Sequence, residues 1–172
     1  MAEETRSANE NAAVATPEEI KGDIAQELAA RLEDVLLTDI GGKELLVRVA
    51  ETREVIRPLP LTPVPMGPDH LLGLANVRGQ IVCVIDPGKI SSLPDVNREI
   101  TPQTRFVVLR HPRMHVGIWV DAVRAIYQVR SDDLPQPAAR ESGAARTKDY
   151  SSGTLEVGGR SYEVLDCSVI FH

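Results

Sequence analysis

GLANVRGQIVCVID at residues 73–86 and GTLEVGGRSYEVLD at residues 153–166 lie over one another without a gap, at an offset of 80. Gly73, Val77, Gly79, Val84 and Asp86 meet Gly153, Val157, Gly159, Val164 and Asp166. Each stretch reads as a strand, a two-residue turn and a second strand, because β-branched residues flank a Gly-containing dipeptide, Arg78-Gly79 or Gly158-Gly159, of the kind that closes a tight hairpin. A weaker correspondence at an offset of 71 places residues 36–56 over 107–127 and aligns Val47 with Ile118, Val49 with Val120 and Arg53 with Arg124. Together the two predict one five-strand unit occurring twice.

Outward from these hairpins the period of two continues. Short runs at about 35–40, 44–50, 52–57, 71–77, 80–86, 104–110, 115–121, 123–129, 153–157 and 160–166 read as ten strands, with Gly41-Gly42 as a third turn of the same kind. Ten short strands without intervening helices predict barrels or sandwiches, not a parallel sheet. Residues 131–150 (SDDLPQPAARESGAARTKDY) are polar and rich in Ala, Pro and Ser, and read as a mobile surface loop.

Ahead of the strands, residues 1–15 have almost nothing to bury and are expected to be a disordered acidic tail. Residues 16–33 read as an amphipathic helix: Thr16 is a cap, Pro17 suits the first helical position, and Glu19 completes a capping box. Ile20, Ile24, Leu28 and Leu32 recur on one face. Because that face is apolar and the rest acidic, the helix is expected to dock reversibly on the body and to compete there with a partner.

Composition removes several functions. The chain has 172 residues and a formal charge of −6, with eight acids and three bases in residues 1–33, so the body is nearly neutral (−1) behind an acidic arm (−5). There is no cationic footprint for a nucleic acid, and 3% aromatic residues leave no stacking platform for one. No run of 18 apolar residues is present, so no membrane insertion is expected, and a cytoplasmic location is.

Catalytic chemistry finds little support. His70, His111, His115 and His172 show no metal-ligand spacing, and His111-Pro112-Arg113 reads as a hairpin turn. Neither a phosphate-cradling Gly loop nor a serine elbow occurs, and no metal or cofactor is expected. Cys83 paired with a distant His is a candidate nucleophile. Its setting, Ile81-Val82-Cys83-Val84-Ile85, predicts instead a strand apolar on both faces, with Cys83 and Cys167 as buried thiols. Asp86 and Asp166 end equivalent hairpins and could be paired carboxylates, but Pro87 and the run Cys167-Ser168-Val169-Ile170 favour two helix caps. Among the charges set in apolar strands, Glu54 and Arg78 are a candidate pair across the first barrel.

Four segments in order then resemble the CheW-like family, the coupling proteins of bacterial chemosensory arrays: VLLTDIGGKELLVRV, TREVIRPLPLTPVPMGP, LLGLANVRGQIVCVIDPGKI, and VGIWVDAVRAIYQV with SSGTLEVGGRSYEVLD. The third is the most specific, a Gly-x-x-Asn-Val-Arg-Gly-x-Ile run leading to a strand that ends in Asp. The resemblance covers about residues 34–171. It implies a mainly β fold of two five-stranded SH3-like β-barrel subdomains sharing an apolar groove, within a domain at 34–172. It also implies no catalysis, and partners that are the cytoplasmic tip of a methyl-accepting chemoreceptor and the regulatory domain of a CheA-like histidine kinase. By match of motif the binding residues are Glu54, Val55, Ile56, Asn76, Val77, Arg78 and Gly79.

Leu45-Leu46 and Asp86-Pro87-Gly88-Lys89 depart from the family's usual residues, which implies an altered kinase-binding surface and leaves type IV pilus motility as an alternative pathway. A stand-alone kinase regulator without receptor contact, and a small enzyme using Cys83, are the rival readings.

Overall fold

A computed structural model describes residues 16–136 and 150–171. The first 31 residues and the body from Leu32 onward are separate units. In the first, α1 (Pro17–Ala30) starts where the proline predicts, with Ile20 N–H donating to the Thr16 carbonyl at 2.9 Å. Ile20 and Ile24 are exposed, and Glu27 pairs with Arg31 one turn later at 3.0 Å. Against the expected 16–33, the helix begins one residue later and ends three residues earlier. Leu32 and Glu33 belong instead to β1, where they pair with Arg130 and Val129. The periodicity of four misplaced Leu32 because the ladder, not the helical stripe, sets its conformation. Residues 1–15, the disordered tail of the sequence reading, lie outside the described residues.

The body consists of β1 (Leu32–Ile40), β2 (Lys43–Arg48), β3 (Thr52–Ile56), β4 (Leu71–Val77), β5 (Gln80–Ile85), β6 (Arg105–Leu109), β7 (Val116–Val120), β8 (Ala122–Arg130), β9 (Ser151–Val157) and β10 (Arg160–Leu165). All ten expected strands are present. They form two five-stranded sheets, in the orders β8-β1-β2-β10-β9 and β3-β6-β7-β5-β4.

Under the repeat, β1 to β5 correspond to β6 to β10, and the two sheet orders map onto one another strand for strand. The copies are nonetheless exchanged. Each sheet takes its first two repeat strands from one copy and the last three from the other. The joins are the antiparallel pairs β1/β8 and β3/β6 and the parallel pairs β2/β10 and β5/β7. A barrel is therefore not one sequence copy, as consecutive reading of the repeat supposes.

The connection after β3 returns to the opposite edge of the second sheet. Thr62, six residues past β3, exchanges both backbone hydrogen bonds with Leu74 of β4, at 2.8 and 2.9 Å. β1 is buried on both faces from Val35 and β2 from Leu45, and each carries three consecutive apolar residues there, Val35–Leu37 and Leu45–Val47. Leu36, Ile40, Leu45 and Val47 enter a core shared with the second sheet, beside Val84, Phe106, Ile118 and Trp119. Val35, Leu37 and Leu46 fill a smaller one with Leu155, Tyr162 and Val164. Leu45 and Leu46 are both 0% exposed, so this departure from the family lies in the interior and alters no surface directly.

Asp86 and Asp166 are the caps the sequence suggested. Asp86 Oδ1 accepts the Gly88 N–H at 2.9 Å and the Val96 N–H at 3.4 Å, and Asp166 Oδ1 accepts the Ser168 N–H at 3.0 Å. Each opens a short 3-10 turn, and the two backbone N–H groups donate to His70 and Tyr150, themselves 80 residues apart. Both carboxylates are buried. Replacing Asp86 by Ala leaves buried N–H groups without acceptors, and is expected to cost about 2–3 kcal/mol of stability in denaturant unfolding. Asp86→Asn, which keeps an acceptor, should lose less.

The 131–150 loop is anchored at both described ends. Leu134 is buried, Arg48 donates to the Pro135 carbonyl, and Tyr150 is a core residue. Residues 137–149 lie outside the described residues.

Candidate functional site

The β4/β5 hairpin turns on Arg78 and Gly79, with φ of 52° and 85°, the two left-handed residues a tight hairpin turn with right-handed strand twist requires. Its relatives at Gly41-Gly42 and Gly158-Gly159 also have both residues at positive φ, but with Gly in both places. Arg78 thus carries a Cβ into a conformation that costs an L-residue about 1–2 kcal/mol. Of these three turns, this one alone sets a side chain beyond hydrogen at the first left-handed position.

That side chain reaches the opposite edge of the sheet. Arg78 Nη2 lies 3.4 Å from Glu54 Oε2 of β3, so the pair spans the seam between the two edges of the sheet. The partners differ in exposure: the Arg78 side chain is 83% exposed and that of Glu54 19%. Glu54 Oε2 is covered and accepts no hydrogen bond, so the guanidinium meets it as a charge without the alignment of a donor. A pair this open contributes about 1 kcal/mol or less to stability. Two stability effects of Arg78 therefore oppose each other. Arg78→Gly relieves the backbone while losing the pair, whereas Arg78→Ala loses the pair and keeps the strain. The Gly variant is expected to be the more stable of the two by about 1 kcal/mol in thermal unfolding.

The other residues of the motif divide. Val55 and Asn76 are exposed, Ile56 is half-buried, and Gly79 forms the turn. Val77 is 6% exposed and packs in the shared core, where it holds the hairpin down and presents no surface. Arg53 of β3 and Arg57, the residue that follows the strand, are exposed on either side of exposed Val55, alternating with Glu54 along the chain.

Cys83 is half-buried, not buried: on β5 it is Val82 and Val84 that point inward, while Ile81 is 55% exposed. The expectation of a strand buried on both faces holds only at the end of β5, where Val84 and Ile85 are both buried, and fails at Ile81 and Cys83. The bond joining Cys83 to a histidine is between backbones, from Cys83 N–H to the His115 carbonyl at 2.9 Å. Cys167 is buried as expected, and burial raises its thiol pKa well above the usual value, which keeps it protonated. Among the described residues no three His, Cys, Asp or Glu side chains gather to hold a metal. His111 does lie in the β6/β7 connection, where its Nδ1 accepts the N–H groups of Arg113 and Met114 at 3.2 and 3.0 Å.

A polar cluster escaped the sequence reading. Lys43 of β2, Glu163 of β10 and Tyr150 join side chains beside the parallel β2/β10 pair, with the ammonium also over the tyrosine ring at 4.6 Å. Hydrogen bonding to Glu163 and then Tyr150 raises the Lys43 pKa, and the bond from Lys43 lowers that of Glu163. The only sequence signal was an aromatic residue at the end of a polar loop.

Residues 34–172 match the family model of the CheW-like domain, which takes in both sheets except the first two residues of β1. The probable chemotaxis protein CheW of Rhizobium etli is 28% identical over 133 residues, 77% of this chain and 83% of that one. The chemotaxis protein CheW of Rhizobium meliloti is 26% identical over 147 residues, 86% and 92% of the two chains. That of Bacillus subtilis is 28% identical over 139 residues, 80% and 86%. The crystal structure of the scaffolding protein TtCheW from Thermoanaerobacter tengcongensis superposes with a TM-score of 0.62 over 78% of this chain and 84% of that one, at 17% identity, and so shares the fold. With the two exchanged five-stranded sheets, the strained Arg-Gly hairpin and a match across the whole body, the chain belongs to the CheW-like domain family.

Proposed function

We propose that this protein is a non-enzymatic adaptor that couples the cytoplasmic tips of chemoreceptors to the regulatory domain of a CheA-like histidine kinase. The observation that carries the reading is Arg78: an exposed cation held in a strained turn, against a half-covered Glu54, on the motif most specific to the family. An adaptor needs no reaction centre. It needs exposed strand edges and apolar positions rimmed by charge, so that several weak contacts add up through the array. The β3 face supplies these in Val55 between Arg53 and Arg57. No helix among the described residues is long and apolar enough to cross a membrane.

The direct test titrates the purified regulatory domain of a CheA-like kinase from the same organism into this chain. Binding is expected, with Arg78→Ala weakening it or weakening receptor binding while the fold is retained. Absence of binding to both kinase domain and receptor tip would sink the proposal.

A further inference from the structure

The motif places an asparagine two residues before Arg78, and its side chain is committed to the turn. Asn76 Oδ1 accepts the Gly79 N–H at 2.8 Å. The Gly41-Gly42 turn has the same bond, from the Gly42 N–H to Asp39 Oδ1 at 2.9 Å, so a side-chain acceptor three residues upstream is a device this fold uses to fix such a turn. The surroundings differ. Asp39 is 8% exposed and ion-paired to Arg124 at 2.6 Å, whereas Asn76 is exposed and uncharged. A carboxylate at 76 would stand beside the Arg78 cation and compete with Glu54 for it. An amide supplies the acceptor without the charge.

From this we infer that Asn76 is a positioning residue: by holding the Gly79 N–H it keeps Arg78 in the left-handed region, and so keeps the guanidinium directed across the seam at Glu54. The need arises from the sequence itself. Where Gly occupies the first turn position, left-handed φ carries no steric cost, and at Gly158-Gly159 the residue in the equivalent place is Glu156. Where Arg occupies it, the turn must be held by something else.

The significance for partner binding rests on the adaptor reading above, but the effect on the turn does not, and the two are measured separately. Amide exchange at Gly79 and the Arg78 HN–Hα coupling are recorded by NMR for the wild-type chain, Asn76→Ala and Asn76→Asp. Asn76→Ala is expected to speed Gly79 exchange about tenfold and to change the Arg78 coupling, whereas Asn76→Asp keeps the slow exchange. Affinity for the kinase regulatory domain and the receptor tip is then measured for Asn76→Ala in the wild-type chain and in Arg78→Gly. A three- to tenfold loss of affinity is expected in the first and no further loss in the second. Unchanged Gly79 exchange in Asn76→Ala would overturn the inference. So would an equal loss of affinity in both backgrounds, since Asn76 would then touch the partner itself. If neither Asn76→Ala nor Arg78→Gly changes affinity for either partner, the adaptor site is misassigned, and the exchange data alone decide whether Asn76 holds the turn.

Discussion

Residues 1–100 expressed alone are expected to stay unfolded, although they contain a complete copy of the five-strand repeat. Within that copy β1 and β2 pair with each other, and so do β4 and β5, but the pairs that assemble each sheet all cross to the second copy: β1/β8, β2/β10, β3/β6 and β5/β7. An isolated first copy has two hairpins and a loose strand, and two-stranded hairpins are marginal at best in water. Its shared core would lack Phe106, Val107, Val108, Ile118 and Trp119, all nearly fully buried in the whole chain. Circular dichroism should show no cooperative transition for residues 1–100 or for 101–172. Mixed in equal amounts, the two halves are expected to recombine and regain one. A cooperative transition in either half alone would mean that the exchange of strands is not what holds the sheets together.

Reversing the charge of Arg78 should produce the largest loss of binding of any single surface change. Arg78→Glu sets a second carboxylate against Glu54, whose Oε2 is already covered and without a hydrogen bond. It also turns an exposed cation into an anion that repels whatever acid a partner offers. Like charges brought together at an interface cost several kcal/mol, so an affinity loss of roughly 100-fold or more is expected. The Glu54→Arg/Arg78→Glu double swap restores the pair across the seam. It should recover part of that loss, and the recovered part measures the direct coupling of the two residues. Binding is read by titration with the kinase regulatory domain and by sedimentation with receptor-containing membranes. A double swap that binds no better than Arg78→Glu alone would show that the two charges act independently.

Much of this architecture was legible because local chemistry decides it. The Gly-containing turns fix hairpins through positive φ, and each of the three appears where the dipeptides predicted. The offset of 80 even carries the hydrogen bonds from Asp86 to His70 and from Asp166 to Tyr150. The exchange of strands between copies was not legible, since a repeat specifies which strands are alike and says nothing of which copy each pairs with. Leu32 was assigned to the helix because Ile20, Ile24, Leu28 and Leu32 share a helical period, while pairing with β8 across the body overrides it. Cys83 was read as buried because an apolar run looks the same whether one face or two are covered.

The candidate site was half legible. Glu54 and Arg78 were found by their charge amid apolar strands, and the structure brings them within 3.4 Å. What pattern could not supply was the geometry that gives the pair its meaning: the left-handed backbone at Arg78, the seam between edge strands, and the acceptor role of Asn76. Val77, placed in the site by motif, faces the core because alternation along β4 turns it inward beside Ala75. The Lys43–Tyr150–Glu163 cluster was missed because it joins strands that become neighbours only through the exchange.

The adaptor claim is tested most directly by sedimenting receptor-containing membranes with the CheA-like kinase of the same organism, with and without this protein. Kinase should appear in the pellet in proportion to added protein, and Arg78→Glu should abolish that recruitment while remaining folded. Kinase sedimenting equally without the protein, or binding the protein while leaving the membranes bare, would contradict coupling, and the second result would establish a stand-alone kinase regulator in its place.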